Sequence, residues 1–112
     1  MSQYYQQIWA QIAAIPTGRV TTYGRIAERA GLPRRARLVA QALRNAPSEL
    51  ALPWFRVLRA DGRIAPPEVH SGHDEQVAQL LAEGVLVKVG RVDLDRFGWS
   101  LALDELLWSP DS

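Results

Sequence analysis

Cysteine is missing from all 112 residues of this chain. That removes disulfides, thiolate nucleophiles and cysteine-based zinc sites. Long hydrophobic runs are missing too. No stretch approaches the roughly 20 apolar residues that span a bilayer, and Met1 to Gln7 is polar, without the apolar centre of a secretory leader. A soluble, cytoplasmic protein with no membrane partner is expected. There is no Gly-x-x-x-x-Gly-Lys or Gly-x-Gly-x-x-Gly phosphate loop, and Ser48, Ser71 and Ser100 lack the context of a nucleophile elbow. Histidine occurs twice. His70 and His73, with Asp74 beside them, could ligate a metal on a helical turn, but no third or fourth ligand stands at metal-site spacing. No metal and no cofactor are expected, and the residue pattern alone does not call for an enzyme.

What is present fits one globular domain over residues 1–112. Hydrophobic residues make up 47% and charged residues 22%, an ordinary globular balance, and no linker, repeat or low-complexity stretch divides the chain. The net charge of +1 conceals an asymmetry. Between Arg19 and Arg63 there are ten arginines and three acids, a net of +7, while the remainder carries a net of −6. Arginine combines phosphate forks with stacking on bases, so this half suits a polyanion, DNA first among them. A solvated basic face without a ligand is the plainer reading of the same charge pattern.

The first half is helical in pattern. Tyr5, Ile8, Trp9, Ile12 and Ile15 recur at i, i+3, i+4 spacing, so Ser2 to Ala14 is predicted as an amphipathic helix, ended by Pro16 and Gly18. Thr21 or Thr22 caps a short helix with Ile26, Ala27 and Ala30 inward, and Gly31 closes it. Pro33 opens a third helix, Arg34 to Asn45. At 3.6 residues per turn, Arg34, Arg37, Gln41, Arg44 and Asn45 share one arc of roughly 100°, with Ala36, Val39 and Leu43 opposite. Two short helices, a Gly- and Pro-containing turn and a cationic outer face make a helix-turn-helix pattern. A core helix with a solvated arginine face remains the alternative.

The second half is less regular. Arg56 to Leu58 and Arg63 to Ala65 flank Asp61-Gly62, a hairpin signal. Ser71 to Gly84 contains a helix with Val77, Leu80 and Leu81 inward. Val85 to Val89 and Arg91 to Leu94 can pair around Gly90. The apolar tail from Trp99 to Trp108 is expected to pack back on the domain.

Four segments, in order, resemble one family. Ile15-Pro16-Thr17-Gly18-Arg19-Val20-Thr21-Thr22-Tyr23-Gly24-Arg25-Ile26-Ala27 is similar to the Ile-Pro-x-Gly-x-Val-x-Thr-Tyr-Gly-x-Ile-Ala stretch of the O6-alkylguanine-DNA alkyltransferases. Gly31-Leu32-Pro33 with Ala36-Arg37-x-Val39 resembles their recognition-helix segment, and Leu80-Leu81-Ala82-Glu83-Gly84 their later Leu-Leu-x-x-Glu-Gly. Pro53-Trp54-Phe55-Arg56-Val57 resembles the signature Pro-Cys-His-Arg-Val, with Trp54 in place of the reactive cysteine and Phe55 in place of the relay histidine. Indole is no nucleophile toward an alkyl carbon and phenyl is no base. The resemblance is therefore to the non-catalytic alkyltransferase-like proteins.

It implies a mainly α fold with small β hairpins, winged helix-turn-helix-like, as in the C-terminal domain of the alkyltransferases. It implies DNA contact by Thr22, Tyr23, Arg34, Arg35, Ala36, Arg37, Gln41 and Arg44, mostly to backbone through the minor groove. Tyr23 takes the place of the residue that rotates the target nucleotide, and Arg37 that of the arginine filling the vacated stack. Flipping is needed because the O6 edge cannot be inspected inside the helix. The lesion pocket falls on Pro53, Trp54, Arg56, Val57, Ile64 and Ala65, with Trp54 as an aromatic floor. Glu83 matches the family glutamate without its histidine, Ala46 stands where an asparagine is usual, and Pro66 to His73 departs from the family's pocket-wall pattern.

The function implied is a monomer that binds duplex DNA containing O6-alkylguanine, flips the damaged base, keeps alkyltransferases away and directs it to the proteins of nucleotide excision repair. A helix-turn-helix transcription regulator is the alternative from patterning, and an enzyme of residual alkyl-transfer or hydrolytic activity a third.

Overall fold

The computed structural model describes residues 3–67 and 72–99. The expected packing of the tail beyond Trp99, and the positions of His70 and Ser71, lie outside them. Among the described residues no helix is long and apolar enough to cross a membrane.

Helix α1, Gln3–Ala13, buries Ile8, Trp9 and Ile12 on one face. It lies against α2, Tyr23–Arg29, and α3, Ala36–Arg44. A buried indole needs an acceptor, and Trp9 Nε1 donates to the Ala42 carbonyl at 2.8 Å. That carbonyl belongs to the last turn of α3, which has no partner within its own helix, so one bond satisfies both groups.

Thr22 caps α2 as the sequence suggests, its Oγ1 accepting from the Arg25 N–H at 3.2 Å. The helix closes with the Gly31 N–H on the Glu28 carbonyl and the Leu32 N–H on the Ala27 carbonyl, at 3.0 and 2.8 Å. This Schellman closure needs a left-handed residue, and Gly31 supplies it at φ +80. Helix α4, His73–Ala82, ends with the same pair of bonds, from Gly84 and Val85.

The mainly helical fold expected from the sequence is what the chain adopts, but its small sheet differs from the hairpins. Strands β1, Thr21–Thr22, and β2, Val57–Leu58, pair in parallel, Thr21 opposite Val57 and Thr22 opposite Leu58. A parallel pair cannot be closed by a tight turn, and here α2 and α3 form the crossover. The Asp61-Gly62 turn does form, with the Gly62 N–H on the Arg59 carbonyl at 2.9 Å. The Arg59 N–H also donates to the Arg63 carbonyl at 3.1 Å; beyond Arg63 the chain leaves β2, the Ile64 N–H donating to the Gly90 carbonyl at 2.9 Å. Arg63 bridges to Arg91 instead. The Val89-Gly90 turn forms with Lys88 and Arg91 as its bridged pair, and at Leu94, where the second arm was expected to end, a short helix α5 begins and spans Leu94–Phe97.

Val57 and Leu58 point to opposite faces, as neighbours on a strand must. Val57 joins the cluster of α1, α2 and α3, which also takes in Trp99; Leu58 joins Val20, Ile64, Leu80, Val85 and Val92. The turn immediately before β2, carrying Trp54, therefore sits at the junction of two cores.

Candidate nucleic-acid interface

The turn between α2 and α3 is where the basic residues gather. The Arg35 N–H donates to the Leu32 carbonyl at 3.2 Å, with Pro33 second in the turn and Arg34 third at φ +67. Pro followed by a left-handed residue is the pattern of a type II turn. The sequence reading of a helix from Arg34 is corrected here: Pro33 and Arg34 belong to the turn, Arg35 is the cap, and α3 starts at Ala36. Arg34 thus leaves the helical arc but stays beside it, exposed like Arg35. Arg37, Gln41, Arg44 and Asn45 form the exposed face of α3, while Val39, Ala42 and Leu43 are buried and Ala36 is half-buried.

Not every arginine of the basic half is free for a polyanion. Arg29 stacks on Trp99, 3.7 Å from the ring centre, and its Nε donates to Gln11. Arg19 donates to the Arg96 carbonyl, Arg63 pairs with Asp61, and Arg56 pairs with Glu83. Arg25, Arg34, Arg35 and Arg37 have exposed side chains with no hydrogen-bond or ion-pair partner among the described residues. Arg59 is exposed without such a partner as well, but these four, on α2, the turn and the start of α3, are the ones gathered at the helix-turn-helix.

Tyr23 opens α2 directly after the Thr22 cap. Its hydroxyl donates to the Ala65 carbonyl at 2.5 Å. Burial pushes its pKa up to about 12, against the opposing pull of the nearby Arg44 charge, so the phenol is a neutral donor. Arg44, at the end of α3, donates from Nη1 to the Pro67 carbonyl at 3.1 Å. Two residues expected on phosphates therefore hold the 65–67 segment.

That segment walls a cavity of about 450 Å³, within the range of small-molecule sites. Its described lining is Leu43, Arg44, Ala46, Pro47, Ser48, Ala51, Leu52, Trp54, Pro66, Pro67, Gly72 and Glu75. A side chain on Gly72 would come within 3.2 Å of Pro66 and 3.6 Å of the Trp54 ring, so glycine there keeps the wall open. Trp54 meets Phe55 edge-on at 6.1 Å between ring centres. Trp54 leans on the helical core and Phe55 on the second.

Of the residues expected in the pocket, Trp54 lines this cavity, and Pro53, Arg56, Val57, Ile64 and Ala65 are not among its described lining. Val57 and Ile64 are core residues, completely buried and 9% exposed. Ala65 contributes its carbonyl to Tyr23 and Pro53 precedes the turn that carries Trp54.

Arg56 is drawn away by Glu83. Its Nε donates to both carboxylate oxygens at 3.0 and 3.1 Å, and Nη2 is paired with Oε2. Nη1 and Nη2 also donate to the Ile15 carbonyl and Thr17 Oγ1. Partial burial works to raise the Glu83 carboxyl, but the Arg56 hydrogen bonds, the Gly18 N–H at 3.0 Å and the Arg56 charge hold it below the ordinary value. Glu83 is thus an ion-pair partner, and its position in one motif and that of Arg56 in another were the available signal.

Gln76 was not anticipated at all. It is completely buried, and its Nε2 donates to the carbonyls of Phe55 and Val57 at 3.0 and 3.1 Å, while Leu81, expected inward, is 51% exposed. The i, i+4 spacing from Gln76 to Leu80 marks the inner face of α4 once a polar residue is allowed on it. His73 meets only Asp74, at 3.4 Å on the surface, and no group of three potential metal ligands occurs among the described residues.

Residues 3–85 match the family model described as 6-O-methylguanine DNA methyltransferase, DNA binding domain. A DNA base-flipping protein of Escherichia coli is 44% identical over 98 residues, which cover 85% of this chain and 73% of that protein. Alkyltransferase-like protein 1 of Schizosaccharomyces pombe is 34% identical over 110 residues, covering 98% of each. The crystal structure of S. pombe Atl1 in complex with damaged DNA containing O6-carboxymethylguanine superposes with a TM-score of 0.80 at 32% identity, over 89% of this chain and 97% of that one.

Proposed function

The chain belongs to the 6-O-methylguanine DNA methyltransferase DNA-binding family, among its alkyltransferase-like, base-flipping relatives, and from that premise we propose that it binds duplex DNA bearing O6-alkylguanine, turns the damaged base out and holds it without reacting. The observation that carries the reading is Trp54: an indole on the wall of a 450 Å³ cavity next to α3, in a chain with no cysteine. In this reading it stands at the position of the alkyltransferase nucleophile, and Phe55 at that of the relay histidine. An aromatic wall meets an alkyl group by contact alone.

In this reading Arg34, Arg35 and Gln41 hold the DNA backbone, with Thr22 and Ala36 at the ends of α2 and α3 approaching it. Arg37, exposed in the first turn of α3, enters the stack as the base leaves. Tyr23 turns the adjoining phosphate, exchanging its Ala65 carbonyl for a phosphate oxygen. Unstacking costs a few kcal/mol, which the inserted guanidinium partly offsets. A lesion held this way is closed to alkyltransferases and is marked for nucleotide excision repair.

The test is affinity for duplexes identical except for guanine or O6-methylguanine, together with protection of the lesion from an active alkyltransferase. Tighter binding and slowed repair are expected. Equal affinity, with preference following DNA sequence, would make the chain a helix-turn-helix regulator instead.

A further inference from the structure

The cavity beside Trp54 has two charged side chains in its lining, Arg44 and Glu75, and neither has an ion-pair partner among the described residues. Apart from Ser48 the other described lining side chains are apolar or absent. Arg44 spends one N–H on the Pro67 carbonyl at 3.1 Å. A guanidinium has five such donors, and the others are not engaged among the described residues. The bond to Pro67 holds the group over the Pro66–Pro67 wall, where it meets whatever enters the cavity.

We propose that Arg44 makes the cavity selective for O6-alkylguanines whose alkyl group ends in a carboxylate. The inference rests on the lesion-binding reading and names the adduct class within it. A carboxylate matches the guanidinium fork, which is exposed and shares the cavity lining with Trp54, Leu52 and Pro66. A methyl adduct meets the same apolar wall and gains nothing from the charge. Glu75 acts in the opposite sense, repelling an anionic adduct.

The experiment measures dissociation constants, at one salt concentration, for duplexes carrying guanine, O6-methylguanine or O6-carboxymethylguanine. It compares the unaltered protein with Arg44→Gln, Arg44→Lys, Glu75→Gln and, as a charge control outside the cavity, Arg59→Gln. The unaltered protein is expected to favour carboxymethyl over methyl by about fivefold, the scale of a partly exposed ion pair. Arg44→Gln abolishes that ratio while keeping the preference for methylated over plain duplex; Arg44→Lys keeps part of it, Glu75→Gln enlarges it and Arg59→Gln leaves it unchanged. If Arg44→Gln weakens all three duplexes by one common factor, Arg44 is a phosphate contact and the proposal is overturned. If the unaltered protein does not distinguish either adduct from guanine, the lesion-binding reading itself falls, and this inference with it.

Discussion

Arg56 clasps Glu83 through Nε and Nη2 while Nη1 holds the Ile15 carbonyl, so one guanidinium joins the turn carrying Trp54, the loop after α1 and the end of α4. Each partner is only 13% exposed. Only Phe55 separates Arg56 from Trp54, and Gln76 secures the same turn through the Phe55 and Val57 carbonyls. The pocket wall is therefore fixed before any ligand arrives, and rigidity of this kind suits recognition.

Glu83→Gln removes the charge and keeps the shape. Because a largely buried guanidinium loses its counter-ion, unfolding should become easier by about 2 kcal/mol at neutral pH. The Glu83 carboxyl lies below its ordinary value of 4.5 in the folded protein. Its contribution is therefore present above about pH 4.5 and lost as pH falls through the lower folded value. Urea unfolding from pH 7 to pH 3 should show this loss in the unaltered protein and a shallower slope in Glu83→Gln.

Tyr23 titrates at the other extreme. Its folded pKa of about 12 exceeds the unfolded value of 10, so its contribution is present below pH 10 and fades above it as the unfolded chain ionises first. Tyr23→Phe should remove that alkaline slope. It should also destabilise by about 1 kcal/mol through the lost bond to Ala65, and weaken lesion binding. Thermal unfolding between pH 8 and 11 reads the first two effects.

Arg37→Ala should weaken binding of O6-methylguanine duplex and reduce extrusion, because the vacated stack loses its plug. A fluorescent base beside the lesion reports this directly. Unaltered emission and affinity would remove Arg37 from the flipping role.

Much of this was legible in the sequence. Thr22 and Gly31 bound α2 through local chemistry that a short window contains, and the buried face of α3 follows from its spacing. What escaped depends on distant partners. The Asp61-Gly62 turn announces a hairpin, yet beyond Arg63 the backbone bonds run to the 90–91 segment, with the Ile64 N–H on the Gly90 carbonyl at 2.9 Å. Arg34 reads as helical by period, but Pro33 opens a turn of type II in which Arg34 is left-handed at φ +67. Arg56 and Arg44 look like two more members of a basic face; one is claimed by Glu83, 27 residues on, the other by the Pro67 carbonyl. Gln76 is polar and carries no sequence signal of burial; what holds it inside is two carbonyls of the 55–57 segment, 19 and 21 residues away, that take its amide.

Restoring a thiol alone should not restore chemistry. In Trp54→Cys the new side chain has an ordinary pKa near ~8.5 and is mostly protonated at neutral pH. Phe55 offers no base, Glu83 is already engaged by Arg56, and the lost indole leaves a void on the cavity wall. Misplacement by ~1 Å can slow attack about a hundredfold. Trp54→Cys should be inactive or very slow in single-turnover transfer, with Trp54→Cys plus Phe55→His faster; efficient transfer by the single variant would show a pocket still built for reaction.

The central claim is recognition without reaction, and one measurement meets it most directly. The protein is incubated with O6-methylguanine duplex at a concentration where the complex is saturated, and the masses of protein and recovered base are then determined. The account requires an unaltered protein mass and O6-methylguanine recovered in full from a complex tighter than that with undamaged DNA. Guanine in place of the lesion, or a protein heavier by one methyl group, would contradict it.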